Sequence, residues 1–404
     1  MPRRSEGGSF SGPLSSIAVA GIALGVLVMV MAVSILRGFQ ADIGGKVAGF
    51  GGHLTVRSYD IGPAYADSPI TFDSALLTQL RAVEGVRHVQ CVATKGGMVK
   101  TEDQIHGILF QGVSADYDTA FFAQCLVEGR LPALEASPQP STDVLVSSTI
   151  AGKLGLTVGD KMRTYFWEGD SYRSRAFTVC GIYNTYLTEM DELYVVGDLR
   201  QVQRLNGWAD AGGDSLTVGG IELTVDDFTQ LNEVAWRVGA LLPYDLRLET
   251  IVESHPALFS WLDLLNVNIT LILAIMCLVS AVAIVSALLI MIFEKSATIG
   301  LLKALGATSR SVRRIFMLKA SRLIVTGIVI GDTVALVLSA AQQRWQLLKL
   351  DPESYSMAHV PMDIDPWVYV AISIGTLAVC LAALLLPAGY ISKINPARTM
   401  RVEN

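Results

Sequence analysis

Few side chains of this 404-residue chain stand in a spacing that could do chemistry. No G-x-x-x-x-G-K-[ST] stretch is present to cradle a nucleotide's phosphates on backbone amides. The nearest glycine cluster, Gly44-Gly45-Lys46, has the wrong spacing and follows an apolar run instead of a strand. G-x-S-x-G and H-E-x-x-H, which would supply a nucleophilic serine or a zinc-bound water, are also missing. The histidines stand apart at positions 53, 88, 106, 255 and 359. Cys277 and Cys380 lie in apolar runs and Cys91, Cys125 and Cys180 in the more polar middle, with no C-x-x-C, so small buried thiols are expected instead of a metal site or disulfide framework. Asp332 interrupts an apolar run, where an ionisable residue raises the hypothesis of a proton relay. The other apolar runs offer it no ionisable partner. It adjoins the series Gly327, Gly331, Ala335, Ser339, a small-xxx-small stripe that lets helices approach closely, within one chain or between two.

Binding is better represented than catalysis. GLLKALGATSRSVRRIF, Gly300 to Phe316, gathers Lys303, Arg310, Arg313 and Arg314 without an acid. Read as helix, Ser296 to Leu305 puts Ile299, Leu302 and Leu305 on one stripe at i, i+3, i+6, with Lys303 off it. Gly306 is placed to stop that helix in a left-handed cap, and Thr308 or Ser309 to start another, which carries Val312, Ile315 and Phe316. Such a lever could anchor to anionic lipid through its arginines, at about 1 kcal/mol each, or offer its apolar stripe to a partner's groove. Composition does not separate the two.

The elements that must position this lever are long apolar runs. With 51% hydrophobic and 17% charged residues and a mean hydropathy of +0.45, against about 25% charge in soluble domains, the chain reads as a membrane protein. Ile17 to Leu36 is uncharged for twenty residues, the length that crosses about 30 Å of hydrocarbon. Arg3 and Arg4 precede it as in a cleaved signal peptide, but the run is too long and no A-x-A-like site follows, so a retained helix is expected. Leu264 to Phe293 is uncharged for thirty residues, about 45 Å of helix, which predicts tilt or a projection beyond the bilayer. Leu323 to Ala341 holds Asp332, and Trp367 to Leu386 opens on Trp367 and Tyr369 as an interfacial belt would.

Charge assigns the sides. Glu294 to Arg322 carries Lys295, Lys303, Arg310, Arg313, Arg314, Lys319 and Arg322 against Glu294 alone, and the tail adds Lys393, Arg398 and Arg401. Residues 40–253 hold 16 basic and 28 acidic residues. The positive-inside rule therefore puts the link, the tail and the N-terminus in the cytoplasm and the large middle segment outside. The expected division is 1–39, N-terminus and first span; 40–255, outer domain; 256–293, second span; 294–311, cytoplasmic link; 312–341, third span; 342–366, outer loop; 367–404, fourth span and tail. No nucleic-acid partner is expected.

In the outer domain, strand, helix, strand occurs twice: GHLTVRS, DSALLTQLRAV and GVRHVQCVAT, then GIELTV, DDFTQLNEVAWRVGALL and DLRLETI. This order predicts a split βαβ, ferredoxin-like α+β part. The short segments VLVSS, KMRTYFW and RAFTVCGIY between them predict a β-rich subdomain, with EGDSYRS as the exposed tip of a long hairpin. That tip is an ordinary turn or a protein-docking loop.

FEKSATIGLLKALGA, Phe293 to Ala307, resembles the signature of FtsX-like ABC-transporter permeases. IAVAGIALGVLVMVMAVSILRGFQADI, VLVSSTIAGKLGLTVGDKM, YSMAHVPMDIDPW and CLAALLLPAGYISKINPARTMR resemble, in order, stretches of the lipoprotein-releasing (Lol-type) permeases among them. The resemblance implies four transmembrane α-helices in the bacterial inner membrane, with a large MacB-like periplasmic domain between the first two. It implies two permease subunits, the second a copy or a paralogue, bound to two ABC-type ATPase subunits that hold the ATP and magnesium, with no cofactor on this chain. A lipoprotein would enter from the outer leaflet and be extruded to a periplasmic carrier.

Carried over residue by residue, Glu294, Lys295, Ile299, Leu302, Lys303, Ala304, Leu305, Gly306 and Ala307 would form the coupling element. Leu36 and Phe39, with Leu264 and Val267 of the second span, would line the substrate cavity. The hairpin residues Trp167, Glu168 and Tyr172 fall where one family member carries a carrier-binding hook. Gly327, Gly331 and Ala335 would serve helix packing. Thr298 stands where relatives often have an acid, which removes one polar contact to the ATPase, and where relatives begin with an amphipathic segment only MPRRSEGGSFSGP precedes the first span, so either the start is incomplete or that segment is lost. Other readings are an FtsX-like permease for drug or peptide export or for signalling to periplasmic hydrolases, and a membrane receptor or scaffold without transport.

Overall fold

The computed structural model describes residues 11–60, 66–101, 104–134, 139–168, 171–208, 215–351, 355–385 and 387. They form two compact units, one from residues 1–40, 260–349 and 359–404, the other from 41–259 and 350–358.

The first unit is helical. The helices Ser11–Gly51, Pro256–Glu294, Ser309–Trp345 and Pro366–Ala383 are each long and apolar enough to cross a membrane. A helix is the natural state of such runs because hydrocarbon leaves the backbone no partner but itself. Asp365 starts the fourth by accepting the Trp367 amide at 3.0 Å, with Pro366 at the first helical position, where its missing N–H costs nothing.

Small residues set the packing. A Cβ at Gly331 would lie 2.6 Å from the Ala23 carbonyl oxygen, and one at Gly327 2.9 Å from the Ile22 Cβ. The stripe Gly327, Gly331, Ala335, Ser339 is buried, and its glycines seat the third helix on the first helix of the same chain. Around them Ile22, Val26, Met29, Ile284, Leu288, Ile324 and Ile328 form one apolar core. The third and fourth helices are joined by the Ser373 hydroxyl, which donates to Asp332 Oδ2 at 2.6 Å, and by a 3.3 Å bond between Tyr369 and Ser339.

Asp332 thus fastens one helix to another. Asp332→Asn, which keeps an oxygen for Ser373, is expected to leave the thermal midpoint of the detergent-solubilised chain unchanged, whereas Asp332→Leu, which removes the acceptor, should lower it.

Several expected boundaries move. The first helix runs to Gly51, past residue 39, because Ile43, Val47 and Phe50 repeat at helical spacing and are buried in the second unit. Gly52, at φ +69°, ends it. The third helix begins at Ser309 and extends to Trp345. Residues 350–358, expected in an outer loop, fold with the second unit, where Lys46 donates to the Ser356 carbonyl at 2.9 Å. The basic tail lies outside the described residues.

The second unit is built on β1 (Leu54–Ser58), β2 (Ile70–Asp73), β3 (Val86–Lys100), β4 (Ile105–Val113), β5 (Leu126–Gly129), β6 (Asp143–Ser147), β7 (Lys161–Glu168), β8 (Ser171–Tyr183), β9 (Tyr194–Asp198), β10 (Ser215–Val218), β11 (Gly220–Val225) and β12 (Leu246–Thr250). The antiparallel order β12-β1-β11-β3, with helices Ser74–Arg81 and Leu231–Gly239 following β1 and β11, is the ferredoxin-like split βαβ arrangement. The ferredoxin-like part expected from the sequence is therefore present.

β3 joins that part to the rest of the sheet. Its first half, to Val92, pairs β11; its second half pairs β4, and Gly97–Val99 also pair β7. The pairings β3-β4-β9-β6-β8-β7 then return to β3 and close a ring around Phe110, Phe166 and Phe177, with the Phe110 and Phe177 rings stacked at 4.9 Å. Gly97 sits where a Cβ would lie 3.0 Å from the Phe166 ring.

Glu222 on β11 is a buried carboxylate in this sheet, accepting from Gln90 Nε2 at 2.8 Å. Burial pushes its pKa up to about 7 from 4.5, against the pull of that hydrogen bond and of Arg57. The folded state therefore holds the proton more tightly than the unfolded chain. The stability that this residue contributes is fully present below pH 4.5 and is lost as pH rises through 7, about 3 kcal/mol in all. In Glu222→Gln this loss is expected to vanish, read as a thermal midpoint of the detergent-solubilised chain that no longer falls between pH 5 and 8 through this residue.

Candidate functional site

The link between the second and third membrane helices is a short helix, Ser296–Ala304. Lys295 precedes it, its ammonium 3.8 Å from Glu294. The helix stops at Gly306, φ +97°, where the Ala307 amide reaches back to the Leu302 carbonyl at 2.9 Å and the Gly306 amide to Lys303 at 3.1 Å. This left-handed stop needs a glycine because a Cβ disfavours that backbone. Thr308 then caps the third helix by accepting the Ser311 amide at 3.3 Å.

The nine residues expected in the coupling element do not share one surface. Ile299 is 1% exposed and packs in the apolar core with Val312 and Phe316, and Ala307 packs against the same core. Leu305 is 77% exposed, Leu301 56% and Leu302 37%. The expected stripe is thus split, Ile299 pointing inward and Leu305 outward. At 100° per residue Leu301 and Leu305 lie one above the other, with Leu302 at their edge. Leu301 was missed because a stripe begun at Ile299 assumes that residue faces outward. Ala304 and Gly306 are exposed beside these leucines, as are Arg310, Arg313 and Arg314 on the following helix.

The four expected cavity residues also differ. Leu36 is 7% exposed and so packed within its own chain, and Phe39 is half-buried. Leu264 and Val267 are exposed, at 60% and 66%, and continue into Leu271 and Leu278 along one face of the second helix. Gln40 donates to Asn266 at 3.1 Å, which ties the first helix to the second. Arg37 reaches Asp365 at 2.6 Å and Asp363 at 3.5 Å. The Trp367 amide and the Arg37 guanidinium hold the Asp365 carboxyl below the usual carboxylate range. A Cβ at Gly38 would lie 2.7 Å from Pro361, so the first helix here abuts the segment that leads into the fourth.

In the hairpin, Trp167 and Tyr172 stand directly opposite each other, exposed, with ring centroids 4.6 Å apart. Glu168 pairs Ser171, and the residues between lie outside the described set. Lys161, Arg163, Arg173 and Arg175 are exposed along the two strands, a basic edge on an acidic domain.

Two family models match the chain: the MacB-like periplasmic core domain over residues 15–241 and the FtsX-like permease C-terminal region over residues 270–396. The lipoprotein-releasing system transmembrane protein LolC of Xylella fastidiosa strain 9a5c is 23% identical, over 96% of this chain and 94% of its own length. LolC of Neisseria meningitidis serogroup B is 23% identical over 99% and 97%. Among solved structures, the periplasmic region of MacB from Actinobacillus actinomycetemcomitans aligns with 52% of this chain and 95% of its own, at 12% identity and a TM-score of 0.35.

Proposed function

Since the chain belongs to the FtsX-like permeases with a MacB-like periplasmic core domain, we propose that it is the permease subunit of an ATP-driven transporter that releases lipoproteins from the inner membrane. The observation that carries this reading is the match to relatives named as lipoprotein-releasing along nearly the whole of both chains. The family is one of membrane subunits, and the chain has no phosphate-binding loop of its own. ATP and magnesium then belong to a separate ATPase, and a second permease subunit completes the transporter.

In this reading Leu301, Leu302 and Leu305 seat in a groove of the ATPase. The second unit stands in the periplasm, the termini in the cytoplasm. Acyl chains of the substrate meet the apolar face Leu264, Val267, Leu271 on the second helix, where burial of apolar area selects lipid without reading protein sequence. The basic hairpin, tipped by Trp167 and Tyr172, meets an acidic face of the periplasmic carrier.

Reconstitution tests the whole reading. With the ATPase, the second permease subunit and ATP, labelled lipoprotein should leave proteoliposomes only when a soluble carrier is present. Release of a drug or peptide in its place would favour export, and absence of any ATP-dependent release would leave a receptor or scaffold.

A further inference from the structure

We propose that the polar cavity of the second unit binds a small organic cation bearing an ammonium or guanidinium group with several N–H donors. The cavity, about 400 Å³, lies between one face of the sheet and the last turn of the first helix at Val47, Phe50 and Gly51. Sheet register sets Glu249, Thr55, Glu222 and Gln90 side by side across four strands, with Arg247 beside Arg57 two residues further on. Successive residues two apart share a face, so this polar block looks into the cavity.

Its guanidinium groups are ion-paired, Arg57 to Asp67 at 2.5 Å and Arg247 to Glu249 at 3.2 Å, with Arg247 Nε left without a hydrogen-bond partner among the described residues. Two of its acceptors have no cation. Glu222, 3% exposed, takes the Gln90 amide but has no ion pair among the described residues. Gln111, also 3% exposed, donates to the Phe50 carbonyl at 2.7 Å, and its Oε1 has no hydrogen-bond partner among the described residues. Buried acceptors in want of donors are costly, and an N–H-rich cation supplies what both lack. The Phe50 and Tyr194 rings that line the site, 5.5 Å apart, offer π faces to the same charge. The first helix ends there, with the negative end of its dipole towards the cavity. An anion would face the Glu222, Glu249 and Glu253 carboxylates that line the cavity.

Calorimetric titration of the full chain in detergent with spermidine and with arginine methyl ester should give saturable one-to-one binding. Tetramethylammonium, equal in charge to a simple ammonium but without N–H donors, should bind at least tenfold more weakly, and glycerol phosphate not at all. Glu222→Gln and Gln111→Met should each weaken spermidine at least tenfold with the fold intact by thermal midpoint. The comparison with tetramethylammonium on the unaltered chain decides the matter even if a variant misfolds. No saturable binding, or equal binding of tetramethylammonium, would mean a cavity filled by water and would overturn the site.

Discussion

Leu305→Asp, combined with Leu301→Asp, is expected to leave the purified permease folded and to abolish its co-purification with the ATPase. Both side chains are exposed on the link helix, Leu301 at 56% and Leu305 at 77%. Each leucine buried in a partner's groove contributes about 1.5–3 kcal/mol, a factor of roughly ten to a hundred in affinity. An aspartate at the same place adds the cost of a desolvated charge. Ile299→Asp separates contact from fold, since Ile299 packs against Val312 and Phe316 and its loss should lower thermal stability before any partner is added. Arg310, Arg313 and Arg314 changed together to Gln provide the contrast with lipid anchoring. If the arginine variant lost the ATPase and the leucine variant kept it, the leucines would not be the docking surface.

Gly331→Leu should prevent the membrane unit from assembling. Its first added carbon would fall 2.6 Å from the Ala23 carbonyl oxygen and 2.9 Å from the Val26 Cβ, and a helix backbone cannot yield as a side-chain tip does. Overpacking typically costs about 1–3 kcal/mol, and a clash with backbone lies at the upper end. Gly375→Leu is the matched control: it makes the same change in an apolar helix where nothing lies within 4 Å, and should be neutral. The readout is the yield of monodisperse protein in detergent and its thermal midpoint. Equal behaviour of the two variants would show that the third helix does not depend on close approach to the first.

These two variants also mark where sequence reasoning reached and where it stopped. Gly331 was recognised as a packing residue from its four-residue spacing, yet the stripe served contacts within one chain or between two equally well. Leu302 and Leu305 were singled out with Ile299 as one surface, but the fold turns Ile299 inward and adds Leu301. Leu36 was expected in an open cavity and is packed within its own chain. In each case the pattern identified an apolar or small face, and the identity of its neighbour was missing.

The sequence by itself determined the number of membrane helices, the capped break at Gly306 and Thr308, and the strand–helix–strand order of the second unit. Hydropathy, capping and alternation are properties of short segments, each fixed by local sterics and solvation, and so they are written in consecutive residues. Only the tertiary structure decided that β3 is shared by a ferredoxin-like sheet and a closed ring, that the glycine stripe lies on the first helix, and that Gln111, Glu222 and Arg247 meet at one cavity. Those facts depend on which distant segments come together, and that choice minimises the energy of the whole chain without leaving a mark on any one stretch of it.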